Sequence, residues 1–347
     1  MLCDSGAGED GEQVNGLQGG AVKGVKRKRD AVKTRSREVP VWARKCPARL
    51  KELEQNVVPE YKAVNERMVT KNGADQNNDL TIDGKRFEPT LSNIIPSEDM
   101  TRTVMDFLWT TVVGSNADSS HVEIEAKIGQ IVDTNSDLRL SLPVQNECAL
   151  NGDPSLRIRF ESNMSMHQHQ GYNELLNNWL RQAQRQPDRV PITFVHRREV
   201  DSFYEEQQIP GFRGKPPRIR QTKNEDTDAT LACVIKERIA DLNIYCPKTA
   251  FDFRISVSVE QPFERSLLKA QLVDQRAKDR MSYAHQFFNV DLTQVSERGR
   301  VSRHELEVEL DPVQLRREAA LVSQGKPNHY ETLVKSFLDN VRTLIRR

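Results

Sequence analysis

The stretch "HELEVELD", residues 304–311, alternates Glu305, Glu307 and Glu309 with Leu306, Val308 and Leu310. Successive side chains of a β-strand point to opposite faces, so the three carboxylates share one face roughly 6–7 Å apart while the aliphatic residues share the other. A solvated antiparallel strand carries the same alternation, so this stretch alone does not choose between a surface and a site. The other strand-like runs do. "HVEIEAKIG" sets Glu123, Glu125 and Lys127 against Val122, Ile124, Ala126 and Ile128. "PRIRQT" groups Arg218, Arg220 and Thr222, and "ACVIKERIA" sets Lys236 and Arg238 against Cys233, Ile235 and Ile239. "DFRISVSVE" sets Arg254, Ser256, Ser258 and Glu260 against Phe253, Ile255, Val257 and Val259. "RAKDRMSY" groups Arg276, Lys278 and Arg280, and "FNVDLTQV" sets Asp291 and Thr293 against Val290 and Leu292.

The charges are sorted by strand: the first and last strands are acidic, and those between are largely basic. A solvent-facing sheet mixes signs, because like charges side by side destabilise it. One arrangement accounts for the sorting, an antiparallel sheet closed so that its first and last strands meet, with the charged faces inward and the apolar faces outward under helices. Closure also removes the exposed edges. Carboxylates gathered inside such a barrel are costly unless paired, and a hard divalent cation, Mg²⁺ or Mn²⁺, pairs with oxygen ligands. The Arg and Lys strands then call for an anion of several charges, and a polyphosphate satisfies both halves of the lumen.

Composition bounds the rest. The chain has 347 residues, 37% hydrophobic and 29% charged, with net charge +1, and a mean hydropathy of -0.67. It is long enough for one substantial domain with polar additions, and the small net charge means that attraction for phosphates is local. No apolar run is long enough to cross a bilayer and the N-terminus lacks the pattern of a secretory signal, so the expectation is a soluble intracellular protein without membrane association. The five cysteines form no CxxC pair, which argues against a disulfide framework or a zinc knuckle. There is no GxxxxGK[ST] loop either. "HQH" at 167–169 lacks a carboxylate or cysteine neighbour.

Helices are predicted in "SEDMTRTVMDFLWTTVV", with Ser97 as N-cap and Val104, Phe107, Leu108 and Val112 on one face, and in "YNELLNNWLRQAQ". Two more close the chain: "DPVQLRREAALVSQ", capped by Asp311 with Pro312 first, and "NHYETLVKSFLDNVRTLIRR", with Leu333, Phe337, Val341 and Leu344 in a stripe. The predicted class is α+β, a closed eight-stranded antiparallel β-barrel with flanking helices.

Residues 1–38 lack an apolar period and read as a disordered basic tail, whose cluster "KRKRDAVKTRSR" (26–37) matches a nuclear import signal and points to the nucleus. Residues 39–60 hold "VPVWARK", where Trp42 stands in polar surroundings and reads as a docking anchor for a partner. Residues 61–95 read as linker and 96–347 as the folded domain.

With "VEIEAKIG", "KDRMSY", "VDLTQV" and "HELEVELD" in this order, the chain resembles the fungal mRNA capping enzyme β subunits, metal-dependent RNA 5′-triphosphatases of the triphosphate tunnel metalloenzyme superfamily. The likeness covers about residues 96–310. It implies a tunnel fold, Mg²⁺ or Mn²⁺ as cofactor, and hydrolysis of the γ-phosphate of 5′-triphosphate pre-mRNA to a 5′-diphosphate end, the first step of cap formation. By position it implies Glu123, Glu125 and Glu309 as metal ligands, with Glu305 and Glu307 supporting the metal site. Arg220, Lys278 and Arg280 match the γ-phosphate ligands, Arg218 standing on the same face as Arg220, while Lys236 and Arg276 lie further along. Glu260 matches the residue that orients the attacking water, and Asp291, Thr293 and Asp201 match tunnel-wall partners of the basic side chains. The resemblance further implies docking of the Trp42 segment on the mRNA guanylyltransferase and a homodimer. The alternatives are a non-RNA tripolyphosphatase of the same fold and a catalytically inactive triphosphate-binding module.

Overall fold

Eight strands follow one another along the chain: β1 (Val122–Asp133), β2 (Thr193–Glu205), β3 (Ile219–Asn224), β4 (Thr230–Tyr245), β5 (Asp252–Pro262), β6 (Gln271–His285), β7 (Phe288–Glu297) and β8 (Arg300–Leu310). In this computed structural model the described residues are 81–346 except 83, 115–117, 119–120, 154, 206–216 and 298–299. The basic tail, the Trp42 segment and the linker up to residue 80 lie outside them.

The strands pair in the order β1-β8-β7-β6-β2-β3-β4-β5, and β5 returns to β1, so the sheet is closed and every pairing is antiparallel. The first and last strands meet as the charge sorting requires, with Glu125 opposite Glu309 and Lys127 opposite Glu307. β1 runs past the barrel and pairs there with two short strands, Leu138–Arg139 and Ile158–Glu161. At this crossing Gly129 lies so close to the second strand that a Cβ would come within 2.1 Å of the Glu161 carbonyl oxygen.

Four helices cover one side of the barrel: α1 (Asp99–Leu108), α2 (Met166–Gln184), α3 (Pro312–Ser323) and α4 (Tyr330–Ile345). The aliphatic faces of β1, β5 and β8 supply Ile124, Ala126, Ile128, Ile255, Val257, Leu306 and Val308 to one core, into which α1, α3 and α4 insert Val104, Leu108, Leu315, Val334, Phe337 and Val341. The Tyr330 hydroxyl donates to the Met105 carbonyl at 3.1 Å and so ties α4 to α1. Asp311 caps α3 by accepting from the Val313 amide at 2.8 Å, and Pro312 follows it as the sequence predicts.

Three local expectations are corrected, and one strand absent from the sequence reading appears. Ser97 does not cap α1: Glu98 holds that position without a side-chain cap. The second helix starts at Met166 rather than Tyr172, because Ser165 and Gln168 form a capping box upstream. β2 carries charge on both faces, Arg197 beside Arg198, so strict alternation misses it as a strand. The register of β4 against β5 shifts between Val257 and Ser258, where Ala240 and then Arg238 become the partners. This bulge moves Ile239 out of the apolar face and leaves it exposed.

Candidate active site

The closed barrel encloses a polar cavity of about 280 Å³. Its lining follows from strand parity, since residues opposite one another across an antiparallel pair share a face. Glu305 faces Thr293, and Glu307 faces Asp291. Arg280 faces Thr293 on one side and Arg197 on the other, while Lys278 faces Glu199 and Arg276 faces Asp201. Glu260 faces Lys236. Of the residues that the sequence points to, Glu123, Glu125, Arg220, Lys236, Glu260, Arg276, Lys278, Arg280, Glu305, Glu307 and Glu309 all line this one cavity. Asp291 and Thr293 are buried beside it. Arg220 lines the cavity, whereas Arg218 is exposed and pairs with Glu205 at 3.2 Å.

Each cation of the lining is held by a carboxylate. Asp201, fully buried, accepts from Arg276 at 3.0 Å, from Lys278 at 2.7 Å and from the Thr222 hydroxyl at 2.7 Å. Asp291 holds Arg280 at 2.7 Å. Glu260 accepts from Arg220 at 2.9 and 3.0 Å and lies 3.5 Å from Lys236, whose ammonium also pairs with Glu123. Lys127 bridges Glu307 and, at 3.0 Å, Glu125. These pairs fix the basic side chains, yet they leave donors unused: Arg220 Nε, Arg280 Nε and Thr293 Oγ1 are buried with no partner. Buried donors without acceptors are uncommon in folded proteins, and here they ring a cavity.

The lining has eight carboxylates, Glu123, Glu125, Glu199, Asp201, Glu260, Glu305, Glu307 and Glu309, against six cations, Lys127, Arg220, Lys236, Arg276, Lys278 and Arg280. The carboxyl groups outnumber the cations by two, and five of the eight come from β1 and β8. Burial pushes the Glu309 carboxyl up to about 8, and the neighbouring Asp291, Glu123 and Glu307 add to it. Glu125 and Glu305 are also raised by burial. Burial acts the same way on Glu307, but the Lys127 ammonium outweighs it and brings this carboxyl down to about 2. Burial lowers Lys278 against Asp201, aided by the neighbouring Arg276.

Among the described residues no three His, Cys, Asp or Glu side chains already stand as a metal shell. Lys127 and Lys236 stand between the carboxylates instead. The donor set nevertheless suits a hard divalent cation: all candidate ligands are carboxylates, Glu125 Oε1 is buried with no hydrogen-bond partner, and Glu309 retains a proton near neutrality. Glu123, Glu125 and Glu309 would hold the ion.

Sequence reading omitted Glu199 and Arg197 because it omitted β2. Val195, Arg197, Glu199 and Asp201 recur at every second position, and that was the available signal. His169 is buried outside this cavity, with its ring centroid 4.8 Å from that of His304. A larger cleft of about 890 Å³ lies on the outer surface between α1 and the Cys246–Thr249 turn, but its cations, Lys248 and Arg346, stand among the acidic side chains Glu98, Asp99 and Glu147.

The profile of the family described as "mRNA capping enzyme, beta chain" matches residues 94–347. The mRNA-capping enzyme subunit beta of Schizosaccharomyces pombe is 36% identical over 302 residues, which span 84% of this chain and 96% of that protein. The subunit of the same name from Cryptococcus neoformans is 32% identical over 74% of this chain, the match spanning 64% of the relative. Among solved structures, that of the S. pombe Pct1 RNA triphosphatase in complex with the Spt5 CTD is 38% identical, with a TM-score of 0.69, and covers 75% of this chain and 99% of that one.

Proposed function

The chain belongs to the mRNA capping enzyme β-chain family, and from that premise we propose that its tunnel removes the γ-phosphate from the 5′-triphosphate end of RNA, leaving the 5′-diphosphate that cap formation requires. The observation that carries this reading is the ring of buried, partly unsatisfied cationic donors set opposite an excess of carboxylates in one closed barrel. Two solved structures of one S. pombe relative named RNA triphosphatase support the choice of substrate, as does a Saccharomyces cerevisiae relative named polynucleotide 5′-triphosphatase, 27% identical.

Phosphoryl transfer to water asks a protein for positioning and for neutralisation of charge on the phosphoryl oxygens. Arg280, Arg220 and Lys278 place their remaining donors around the γ-phosphoryl group, with Lys236 and Arg276 as the further phosphate ligands of the lining. Asp201, itself fixed by the Thr222 hydroxyl, holds Arg276 and Lys278, and Asp291 holds Arg280 before substrate arrives, so little reorganisation accompanies the reaction. Glu260 is kept between Arg220 and Lys236, where it accepts a hydrogen bond from water and directs its lone pair at phosphorus. Water oxygen bonds to the γ-phosphorus as the bond to the β–γ bridging oxygen breaks, and the diphosphate end leaves with that oxygen. A divalent cation on Glu123, Glu125 and Glu309, Mg²⁺ or Mn²⁺, supplies Lewis-acid neutralisation of phosphate oxygens when bound.

The basic cluster 26–37 supports a nuclear location; the relatives are named as subunits of an mRNA-capping enzyme, and the Trp42 segment supports docking on a partner subunit, which we take to be the guanylyltransferase. The test is product analysis on RNA labelled separately at the β- and γ-phosphates. The reading expects free γ-label as inorganic phosphate and β-label retained on the RNA. Release of labelled pyrophosphate, or turnover of tripolyphosphate alone, contradicts it.

A further inference from the structure

At the end of the barrel where β8 terminates, a second cavity of about 350 Å³ opens beside the tunnel and shares Glu309 with it. Its walls come from the starts of β2 and α3 and from the β6–β7 hairpin. Two features set this vestibule apart. The first is Arg197, which sits opposite Arg280 on the inner face of the barrel and lines the vestibule. The six cations of the tunnel each have a carboxylate partner, whereas Arg197, among the described residues, has no ion pair or side-chain hydrogen bond. An exposed, unpaired guanidinium across from the last cation of the phosphate-binding row is suited to one more phosphate.

The second feature is Phe287. The two-residue turn Gln286–Phe287 joins β6 to β7, and Gln286 takes a left-handed φ of 56°, a position where hairpins ordinarily use Gly or Asn. The Asp311 amide donates to the Phe287 carbonyl at 2.9 Å and fixes the turn two residues beyond Glu309. The backbone is thus tied down while the side chain stays 41% exposed at the rim of the cavity, next to an exposed Val195. An aromatic ring held at a charged mouth is a stacking platform for a base, and single-stranded RNA is bound by such rings together with arginine.

We propose that this vestibule seats the first nucleotides of the RNA, with Phe287 stacking on a base and Arg197 binding the phosphate that follows the triphosphate. The proposal rests on the triphosphatase reading above and assigns the substrate's entry to the Glu309 end of the tunnel. It makes Arg197 and Phe287 the residues that distinguish an RNA from a bare polyphosphate.

The test is equilibrium binding in Mg²⁺ of two ligands that resist hydrolysis: a short RNA carrying a 5′ β,γ-methylene triphosphate, and methylene-bridged tripolyphosphate without a nucleoside. The natural chain is compared with Arg197→Gln and Phe287→Ala. For each variant the ratio of the RNA Kd to the tripolyphosphate Kd should rise about tenfold, and Arg197→Gln should reduce the salt slope of RNA binding by about 0.7. An unchanged ratio in both variants overturns the proposal, whether the two affinities are equally weakened or unaffected. Because binding is read without turnover, this failure is distinct from failure of the phosphatase reading, which shows as absent phosphate release by the natural chain.

Discussion

Glu307 and Glu309 stand two residues apart on one face of one strand, yet their carboxyls are driven in opposite directions, to about 2 and about 8. The difference is Lys127, which reaches Glu307 and leaves Glu309 among Asp291, Glu123 and Glu307. The same strand therefore holds one carboxylate paired with an ammonium and one carboxyl surrounded by other carboxylates. Arg280 is the corresponding residue on the cationic side, anchored by Asp291 with its Nε left buried and unpartnered. Removing one preorganised donor to a developing charge costs about 10²–10³ in rate, so Arg280→Ala is expected to lower kcat/KM by about that factor, and to lower the thermal midpoint because it strips the buried Asp291 of its cation. Arg280→Lys should recover only part, because an ammonium lacks the planar fork. Steady-state kinetics on triphosphate RNA check both, and full activity in Arg280→Lys would mean that charge alone suffices.

At the scale of elements, α2 is pinned to the outer face of β8 through His169 and His304. Burial holds His169 down at about 4, helped by His304 and opposed by Asp279. Unfolded, the ring titrates near its ordinary 6.5, so between the two values the unfolded chain binds more protons and stability rises with pH. The contribution is fully present above 6.5 and is lost as pH falls through 4, at most about 3 kcal/mol. His169→Gln should therefore narrow the gap between the thermal midpoints at pH 7 and pH 4.5, and an unchanged gap contradicts the assignment. A second element-scale expectation concerns the crossing of β1 and the Ile158–Glu161 strand. Gly129→Ala drives a Cβ into the Glu161 carbonyl, which lies on backbone that cannot yield cheaply, and should destabilise the chain by roughly 2–3 kcal/mol in denaturant titration.

Elements also show where sequence reading succeeds. β1, β5, β7 and β8 have helices on one side and the lumen on the other, so their alternation is clean and the outward residues Ile124, Ile255, Leu292 and Leu306 are fully or almost fully buried. The outer face of β2, with Phe194, His196 and Arg198, is exposed, so both of its faces tolerate charge and the period of two is blurred. That loss conceals Glu199 and Arg197. The β4 bulge is a matter of register between partners, which one strand's own sequence does not encode. Arg218 and Arg220 share a parity and are separated only by where the strand meets the barrel rim.

For the molecule as a whole, a net charge of +1 conceals a strongly charged interior. The closed sheet makes this possible, since it turns the charged faces of the covered strands into one lumen and their aliphatic faces under helices. The two acidic strands, distant in sequence, become neighbours only through closure, and the sorting of charge along the chain was the trace of that contact. Membership of the family and the tunnel's lining agree on a triphosphate as the ligand, and the carboxylate excess on the β1–β8 side is what supports the divalent cation proposed there.

The most direct measurement is the rate of γ-phosphate release from 5′-triphosphate RNA as Mn²⁺ is titrated into the chelator-treated protein, for the natural chain and for Glu309→Gln. The account predicts no release without metal, saturation as Mn²⁺ is added, and a loss on the order of a thousandfold in the variant. Release that persists in chelator, or a variant that saturates at the natural rate, would contradict the claim that these carboxylates form a catalytic metal site.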